Sequence, residues 1–349
     1  MGFEVRFEYS DDMKAFAITA PMQSAVEDVQ EPIAGDGEVV IDVSRVGICG
    51  TDQEYFTGEM VYLHNGKAGY PMRIGHEWCG TVSAIGNNVD KKWLGQRVTG
   101  DTMLGCGTCY RCTSGRQHVC ESRSEVGISH GFAGALAEKF LIPSRALHAL
   151  PDSIDDAMGA MVEPGGNSLR ASQAALAGPG RNILIWGTGT IGLLTALFAQ
   201  AAGANVYLVG RNEHTIALAK KIGIKNTSKE IPQLPTGFDA VIDATNDPEI
   251  PALAVSTVEP GGRIVYIGIA GEASYVDSRI ITLADVTVIG ILSGSPGLAG
   301  AIELYASGKV DPRPLIAATI SLSQVSDIFL GKRPAGAGDG PKIHIDPRI

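Results

Sequence analysis

Two textures of hydrophobic patterning divide the chain. Over residues 13–165, short β-branched runs alternate with stretches rich in Gly, Pro and Asn. Val39-Val40-Ile41-Asp42-Val43 and Gly80-Thr81-Val82-Ser83-Ala84-Ile85 read as strands there, separated by long loops. From about residue 166 the pattern becomes regular. Asn182–Trp186, Asn205–Val209, Asp239–Asp243, Arg263–Ile267 and Val286–Ile289 are strand-length apolar runs, and Ile191–Ala202 and Thr215–Lys221 are helical. Strands buried on both faces need continuous apolar runs, so this half predicts a doubly wound parallel sheet. A helix over Ala299–Ser307 and a last strand, Lys342–Ile345, are expected to return to the first unit. The expected organisation is α/β, with a β-rich domain over 1–165 completed by 298–349 and a nucleotide-binding domain over 166–297. Residues 331–341 read as a mobile loop.

Composition narrows the function classes. At 349 residues the chain suits two domains. Lys plus Arg is 28 against 38 for Asp plus Glu, a formal net charge of −10, which argues against a nucleic-acid or anionic-membrane surface. Residues 182–210 carry no charge and are long enough to span a bilayer, but Gly187-Thr188-Gly189 breaks the run into strand, turn, helix and strand. Met1–Arg6 lacks the basic start and apolar core of a signal peptide. The six cysteines, at 49, 79, 106, 109, 112 and 120, are clustered. Without a secretory signal that favours metal binding over disulfides and a cytoplasmic location.

Three motifs carry chemistry. Cys106-x2-Cys109-x2-Cys112-x7-Cys120 supplies four thiolates, enough to close a tetrahedral Zn2+ shell with no open position; an iron–sulfur cluster or free buried thiols are the alternatives. Cys49, His76-Glu77 and Glu163 offer three ligands and an open position, the pattern of a catalytic zinc, or else a buried thiol and a satisfied core histidine. Gly187-x-Gly189-x2-Gly192, between a strand and a helix, lets backbone approach a pyrophosphate at the helix N-terminus. At the end of the second strand, Gly210-Arg211-Asn212 has no carboxylate for a ribose 2′-hydroxyl, and Arg211 can pair with a 2′-phosphate. The expected cofactor is therefore NADP, with NAD possible. Gly187, Gly189, Thr190, Ile191, Gly192, Gly210, Arg211, Asn212, Thr245 and Ile267 form the expected cofactor-binding set. Cys79 reads as a core thiol, and the histidines at 64, 118, 130, 148, 214 and 344 show no metal spacing.

In order along the chain stand Gly47-Ile48-Cys49-Gly50-Thr51-Asp52, Gly75-His76-Glu77-x2-Gly80-x5-Gly86, the four-cysteine lobe, Glu163-Pro164 and Gly187–Gly192. The chain thereby resembles the zinc-containing medium-chain dehydrogenase/reductase superfamily, in its polyol, threonine and glucose dehydrogenase branch. The resemblance implies a GroES-like catalytic domain split around a Rossmann domain. It implies two zinc ions per chain, the catalytic one held by Cys49, His76 and either Glu77 or Glu163, with Thr51 passing the alcohol proton outward. Glu54 stands where threonine and sorbitol dehydrogenases usually have a proton-relay His. Thr51-Asp52-Gln53-Glu54 and Glu125-Val126-Gly127-Ile128 are similar to glucose dehydrogenase segments, which implies that Glu54 and Glu125 bind substrate hydroxyls; a surface or helix-capping charge is the alternative for each. Pro164–Ser168 departs from the glucose enzymes. The expected function is oxidation of a secondary alcohol or hemiacetal of a polyol, sugar or cyclitol. The rivals are a simple-alcohol, amino-alcohol or secondary-metabolite dehydrogenase, and a non-catalytic NADP-binding protein. The expected partners are small molecules and a second or further copy of the chain, as a homodimer or homotetramer.

Overall fold

Two sheets organise the chain in a computed structural model that describes residues 12–231 and 237–349. The N-terminal reading of Met1–Arg6 lies outside the described residues. Among them, six parallel strands lie in the spatial order Asn226–Ser228, Asn205–Val209, Asn182–Trp186, Phe238–Asp243, Val258–Tyr266 and Thr287–Gly290. In chain order this is 3-2-1-4-5-6, so the winding reverses beside Asn182–Trp186 and leaves a crevice at the strands' carboxyl ends. Four of the five residues of Asn182–Trp186 are buried, because helices cover both faces of the sheet.

The second sheet joins the two ends of the chain. Glu38–Gly47 pairs antiparallel with Glu77–Ile85 and Lys139–Pro143, and Glu77–Ile85 continues to Arg97–Gly100 and Leu147–Ala149. On the other side Lys342–Ile345 pairs with Glu38–Gly47 through His344↔Gly47 and lies parallel to Ile316–Ile320. Trp78 and Phe140 meet edge-to-face at 4.7 Å in its core.

Three expectations shift. The strand read from Gly80 begins at Glu77, which puts Glu77 in the sheet opposite Gly47 and leaves His76 at its entrance. A division at 165/166 falls inside the helix Val162–Ala174 rather than in a connection. The helix Leu298–Ala306 packs against Val162–Ala174 beside the parallel sheet, so the return to the second sheet begins at Ile316. This helix and the turn before it approach closely because Gly165 and Gly166 have no side chain. A Cβ at Gly165 would lie 2.3 Å from the Tyr305 hydroxyl, and one at Gly166 would lie 2.6 Å from the Gly294 carbonyl oxygen. The loop 331–341 is turn-rich, and Gly338 N–H donates to the Ala317 carbonyl at 2.8 Å. No helix among the described residues is long and apolar enough to cross a membrane.

Candidate active site and metal centres

Cys49 precedes the helix Gly50–Thr57, and its N–H donates to Asp52 Oδ2 at 2.8 Å, fixing the turn that presents the thiol. His76 and Glu77 reach the same point from the entrance of the strand Glu77–Ile85. The ligand atoms of Cys49, His76 and Glu77 all lie within 4.8 Å of one another. The Nδ1 of His76 is buried, 3.6 Å from Asp52 Oδ1, with no hydrogen-bond partner among the described residues. Both Glu77 oxygens accept from Lys342 Nζ, at 2.8 and 2.6 Å, in a fully buried pair. Glu163, in the first turn of Val162–Ala174, lies outside the 4.8 Å set, and its Oε1 accepts from Asn167 Nδ2 at 3.0 Å. Thr51 occupies the first turn of the helix after Cys49.

The electrostatics of this cluster favour a cation. Burial raises the pKa of Asp52 and of Glu163 against the pull of His76. Burial opposes the charged form of His76, yet Asp52, Cys49 and Glu163 outweigh it and hold the imidazole well above its ordinary value. Asp52, Glu77 and Glu163 crowd three carboxyl groups and the Cys49 thiol around one lysine among the described residues, Lys342, and both oxygens of Glu77 take it. A divalent ion on soft sulfur, imidazole and carboxylate donors fits that deficit.

The four-cysteine lobe brings its ligand atoms within 4.8 Å of one another as well. Cys106 and Cys112 sulfurs are 3.9 Å apart, and Cys109 and Cys120 sulfurs 3.7 Å. A tetrahedron of sulfurs about 2.3 Å from zinc has edges of about 3.8 Å, whereas a disulfide bond is about 2.05 Å. Hydrogen bonds from Thr108 and the Cys109 N–H draw the Cys106 thiol down to about 5, while burial pushes Cys112 up to about 11. The donors therefore fit a closed zinc site. Cys79 is apart from both sets: it is buried, its thiol donates to the Asp156 carbonyl, and burial raises its pKa.

The nucleotide motif sits at the crevice where the winding reverses. Gly187 turns the chain at φ +106°, and a Cβ at Gly192 would lie 1.9 Å from the Gly187 carbonyl oxygen, so the helix Thr190–Ala201 starts against the strand's end. A Cβ at Gly189 would meet nothing within 4 Å, which leaves open space in front of the helix N-terminus. A cleft of about 810 Å³ is lined by Gly187–Gly189, Gly210–Asn212 and Ala244–Asp247, and also by Gly50 and Glu54 of the other sheet's side. Thr188 bars any side chain at 210: a Cβ on Gly210 would lie 2.3 Å from its Cγ2. The Asn212 side chain is used inward, accepting from His214 N–H at 2.8 Å as a helix cap. Thr190, Ile191 and Ile267 are not among the residues lining the cleft; Ile267 N–H donates to the Asp243 carbonyl.

The two substrate carboxylates are separated. Glu54 stands at the open rim of the cleft, where partial burial and then the like charge of Glu59 raise its pKa. Glu125 is not among the residues lining the cleft. Its Oε1 accepts from Arg123 Nε at 2.9 Å and from the Tyr62 hydroxyl at 3.1 Å, so this buried carboxylate is already paired. An Arg two residues before it, just ahead of the short strand Ser124–Glu125, is the sequence signal for that pairing. Asp52, Lys342, Asn167 and Asp247 complete the surroundings and were not singled out from the sequence. Lys342 finds Glu77 265 residues away and Asp247 finds Arg211 36 residues away, beyond the reach of a local motif, whereas Asn167 and Asp52 bond within four residues of themselves.

A nucleotide crevice beside a thiolate–imidazole–carboxylate cluster, with a separate four-thiolate lobe, defines a zinc-type dehydrogenase. Residues 35–152 match the alcohol dehydrogenase GroES-like domain, and residues 190–307 match the zinc-binding dehydrogenase domain. An L-threonine 3-dehydrogenase of Streptomyces coelicolor is 33% identical over 91% of this chain and 94% of its own length. Among solved structures, a zinc-binding dehydrogenase from Sinorhizobium meliloti 1021 bound to NADP superposes with a TM-score of 0.86, at 29% identity over 97% of this chain and all of the other. An alcohol dehydrogenase (rspB) from Escherichia coli CFT073 complexed with NADH gives the same TM-score, at 26% identity over 96% of this chain and 99% of the other. The chain belongs to the zinc-dependent medium-chain dehydrogenase superfamily. It is an NAD(P)-dependent oxidoreductase of the alcohol and polyol dehydrogenase class, acting on small molecules.

Proposed function

We propose that the chain oxidises a secondary alcohol or hemiacetal of a polyhydroxylated substrate, such as a polyol, sugar or cyclitol, with NADP as preferred cofactor. The observation that carries the reading is Glu54: a carboxylate in the wall of the cleft that also holds Gly187–Gly189, free to accept hydrogen bonds from two hydroxyls. Arg211 in the same wall, and a position 210 closed to a carboxylate, support NADP.

Cys49, His76 and Glu77 would hold the catalytic zinc, with Glu163 as the alternative carboxylate and Lys342 countering the charge of Glu77. Cys106, Cys109, Cys112 and Cys120 are placed to hold the second ion. When bound, zinc polarises the alcohol oxygen and the nicotinamide takes up the hydride. Asp52 faces Nδ1 of His76, which leaves Nε2 for the ligand side. Thr51, in the turn that Asp52 caps, would receive the alcohol proton and pass it outward. Six free thiols suit a reducing compartment, and we place the protein in the cytoplasm as a homo-oligomer.

A carboxylate that accepts two hydroxyls also accepts an ammonium, and the L-threonine 3-dehydrogenase relative makes a hydroxy amino acid the second reading. A screen for reduced cofactor across aldoses, polyols, cyclitols, 3-hydroxy amino acids and 2-butanol, with NADP+ and NAD+ in parallel, separates them. Polyhydroxylated compounds turning over best with NADP+ is the expected result; 3-hydroxy amino acids or 2-butanol leading the screen would replace it.

A further inference from the structure

Asp247 meets Arg211 at the corner of the cleft where the cofactor's adenosine ribose is expected. Its Oδ2 accepts from Arg211 Nη2 at 2.5 Å. Its other oxygen accepts from Glu249 N–H at 3.0 Å, and its own N–H donates to Thr245 Oγ1 at 3.3 Å. Thr245 is anchored in turn, giving its hydroxyl and N–H to the buried Asp243 Oδ1 at 2.7 and 2.9 Å. The carboxylate is thus fixed to the end of the strand Phe238–Asp243, whereas the Arg211 side chain is 84% exposed and held only at its tip. Lys229, the other cation among the described residues lining this cleft, is also taken, by Glu213 at 2.5 Å.

We infer that Asp247 is a cofactor-specificity residue that holds Arg211 in the place of a 2′-phosphate, so that NADP must displace a carboxylate and NAD need not. The inference rests on the NADP reading only in taking Arg211 as the partner of that phosphate. Two effects oppose NADP here. Releasing an exposed ion pair costs little, at most about fivefold in affinity. A dianionic phosphate beside a fixed carboxylate adds repulsion that an uncharged 2′-hydroxyl does not feel. Gly210-Arg211 alone would mark a strict NADP site, and Asp247 moderates it toward use of both cofactors.

Asp247→Asn tests this, because it keeps the Oδ1 that caps Glu249 and removes the charge facing Arg211. Asp247→Ser, which also keeps an acceptor, stands in if the amide variant folds poorly. Calorimetric titration of the holoenzyme with 2′,5′-ADP, 5′-AMP, NADP+ and NAD+ reads binding without turnover. The affinity ratios of 2′,5′-ADP to AMP and of NADP+ to NAD+ should rise about tenfold, with a steeper loss of 2′,5′-ADP affinity in salt. In an Arg211→Ala background the same change should raise the ratios less than threefold. Unchanged ratios in a wild type that prefers NADP+ overturn the role of Asp247 and leave the NADP reading standing. A wild type that prefers NAD+, with Asp247→Asn shifting it to NADP+, overturns the NADP reading and supports Asp247.

Discussion

Glu54 is the residue on which the proposed substrate class turns. At the rim of the cleft no cation among the described residues pairs with it, unlike Glu125, which Arg123 and Tyr62 hold. A site that hydrogen-bonds a hydroxyl rejects analogues lacking it, so the loss on changing the site falls on polyhydroxylated substrates. Glu54→Gln should lower kcat/KM for the best polyol or sugar about 10–100-fold and that for 2-butanol less than threefold. Equal losses in steady-state kinetics would make Glu54 a proton relay instead. Glu54 is proposed to act through its exposure, and His344 affects stability through burial. Neither of its ring nitrogens has a hydrogen-bond partner among the described residues, and burial, then Lys342 and Arg45, hold its pKa down to about 3. The unfolded chain binds a proton near 6.5 that the folded chain refuses. Stability from this residue is therefore complete above about pH 6.5, erodes as pH falls and levels off below about 3. Between pH 7 and pH 5 that amounts to about 2 kcal/mol. Urea unfolding of wild type and His344→Leu at both pH values should show the variant losing that much less stability. An identical loss in both would assign the acid sensitivity elsewhere.

Elements differ in how plainly the sequence announces them, and the reason is how much of their stability is local. Asn182–Trp186, Asn205–Val209 and Lys342–Ile345 are read within a residue because each is an uninterrupted apolar or alternating run between turn residues. The cysteine lobe is legible because its ligands sit within 15 positions of one another. Glu77-Trp78-Cys79 at the start of its strand is not, because a buried glutamate in a strand makes sense only with Lys342 from the far end of the chain. Asp247 is hidden for the same reason, since Arg211 lies 36 residues before it and across the crevice. Gly165 and Gly166 look like a break within a helix and are instead what lets Leu298–Ala306 close on Val162–Ala174. The lobe also has little apolar core of its own, so its metal is expected to supply much of its folding free energy. Elemental analysis of fresh protein should find two zinc ions per chain, with chelation removing the one at Cys49, His76 and Glu77 first. Cys106→Ser should leave one ion and lower Tm by several degrees. Cys49→Ser should also leave one, abolish turnover and hardly move Tm. One ion or none in the wild type would break the assignment.

At the scale of the whole molecule, the parallel sheet ends without a neighbour. Thr287–Gly290 is its outer strand, bonded to Val258–Tyr266 on one side only among the described residues. Natural edges are guarded by charge, proline, a bulge or a covering helix. This one is the uncharged run Thr-Val-Ile-Gly, with Val288 40% exposed. Leu283 and Ile280, on the helix just before it, are exposed as well, at 87% and 44%. An open ladder flanked by exposed aliphatic side chains would promote indiscriminate pairing unless a specific partner covers it. The partner always available to a homo-oligomer is its own copy. A second Thr287–Gly290 strand, related by a two-fold axis, would pair antiparallel with the first and continue two six-stranded sheets as one. The arrangement leaves the crevice at the strands' carboxyl ends open, so cofactor entry is not blocked. Light scattering coupled to size exclusion should give the wild type at least twice the chain mass at micromolar concentration. Val288→Asp places like charges near each other across the two-fold and Leu283→Lys charges the aliphatic flank; together they should yield a folded monomer that still binds 2′,5′-ADP. A wild-type monomer, or an oligomer indifferent to both substitutions, would mean that this edge is not the contact and that assembly, where it occurs, uses another face.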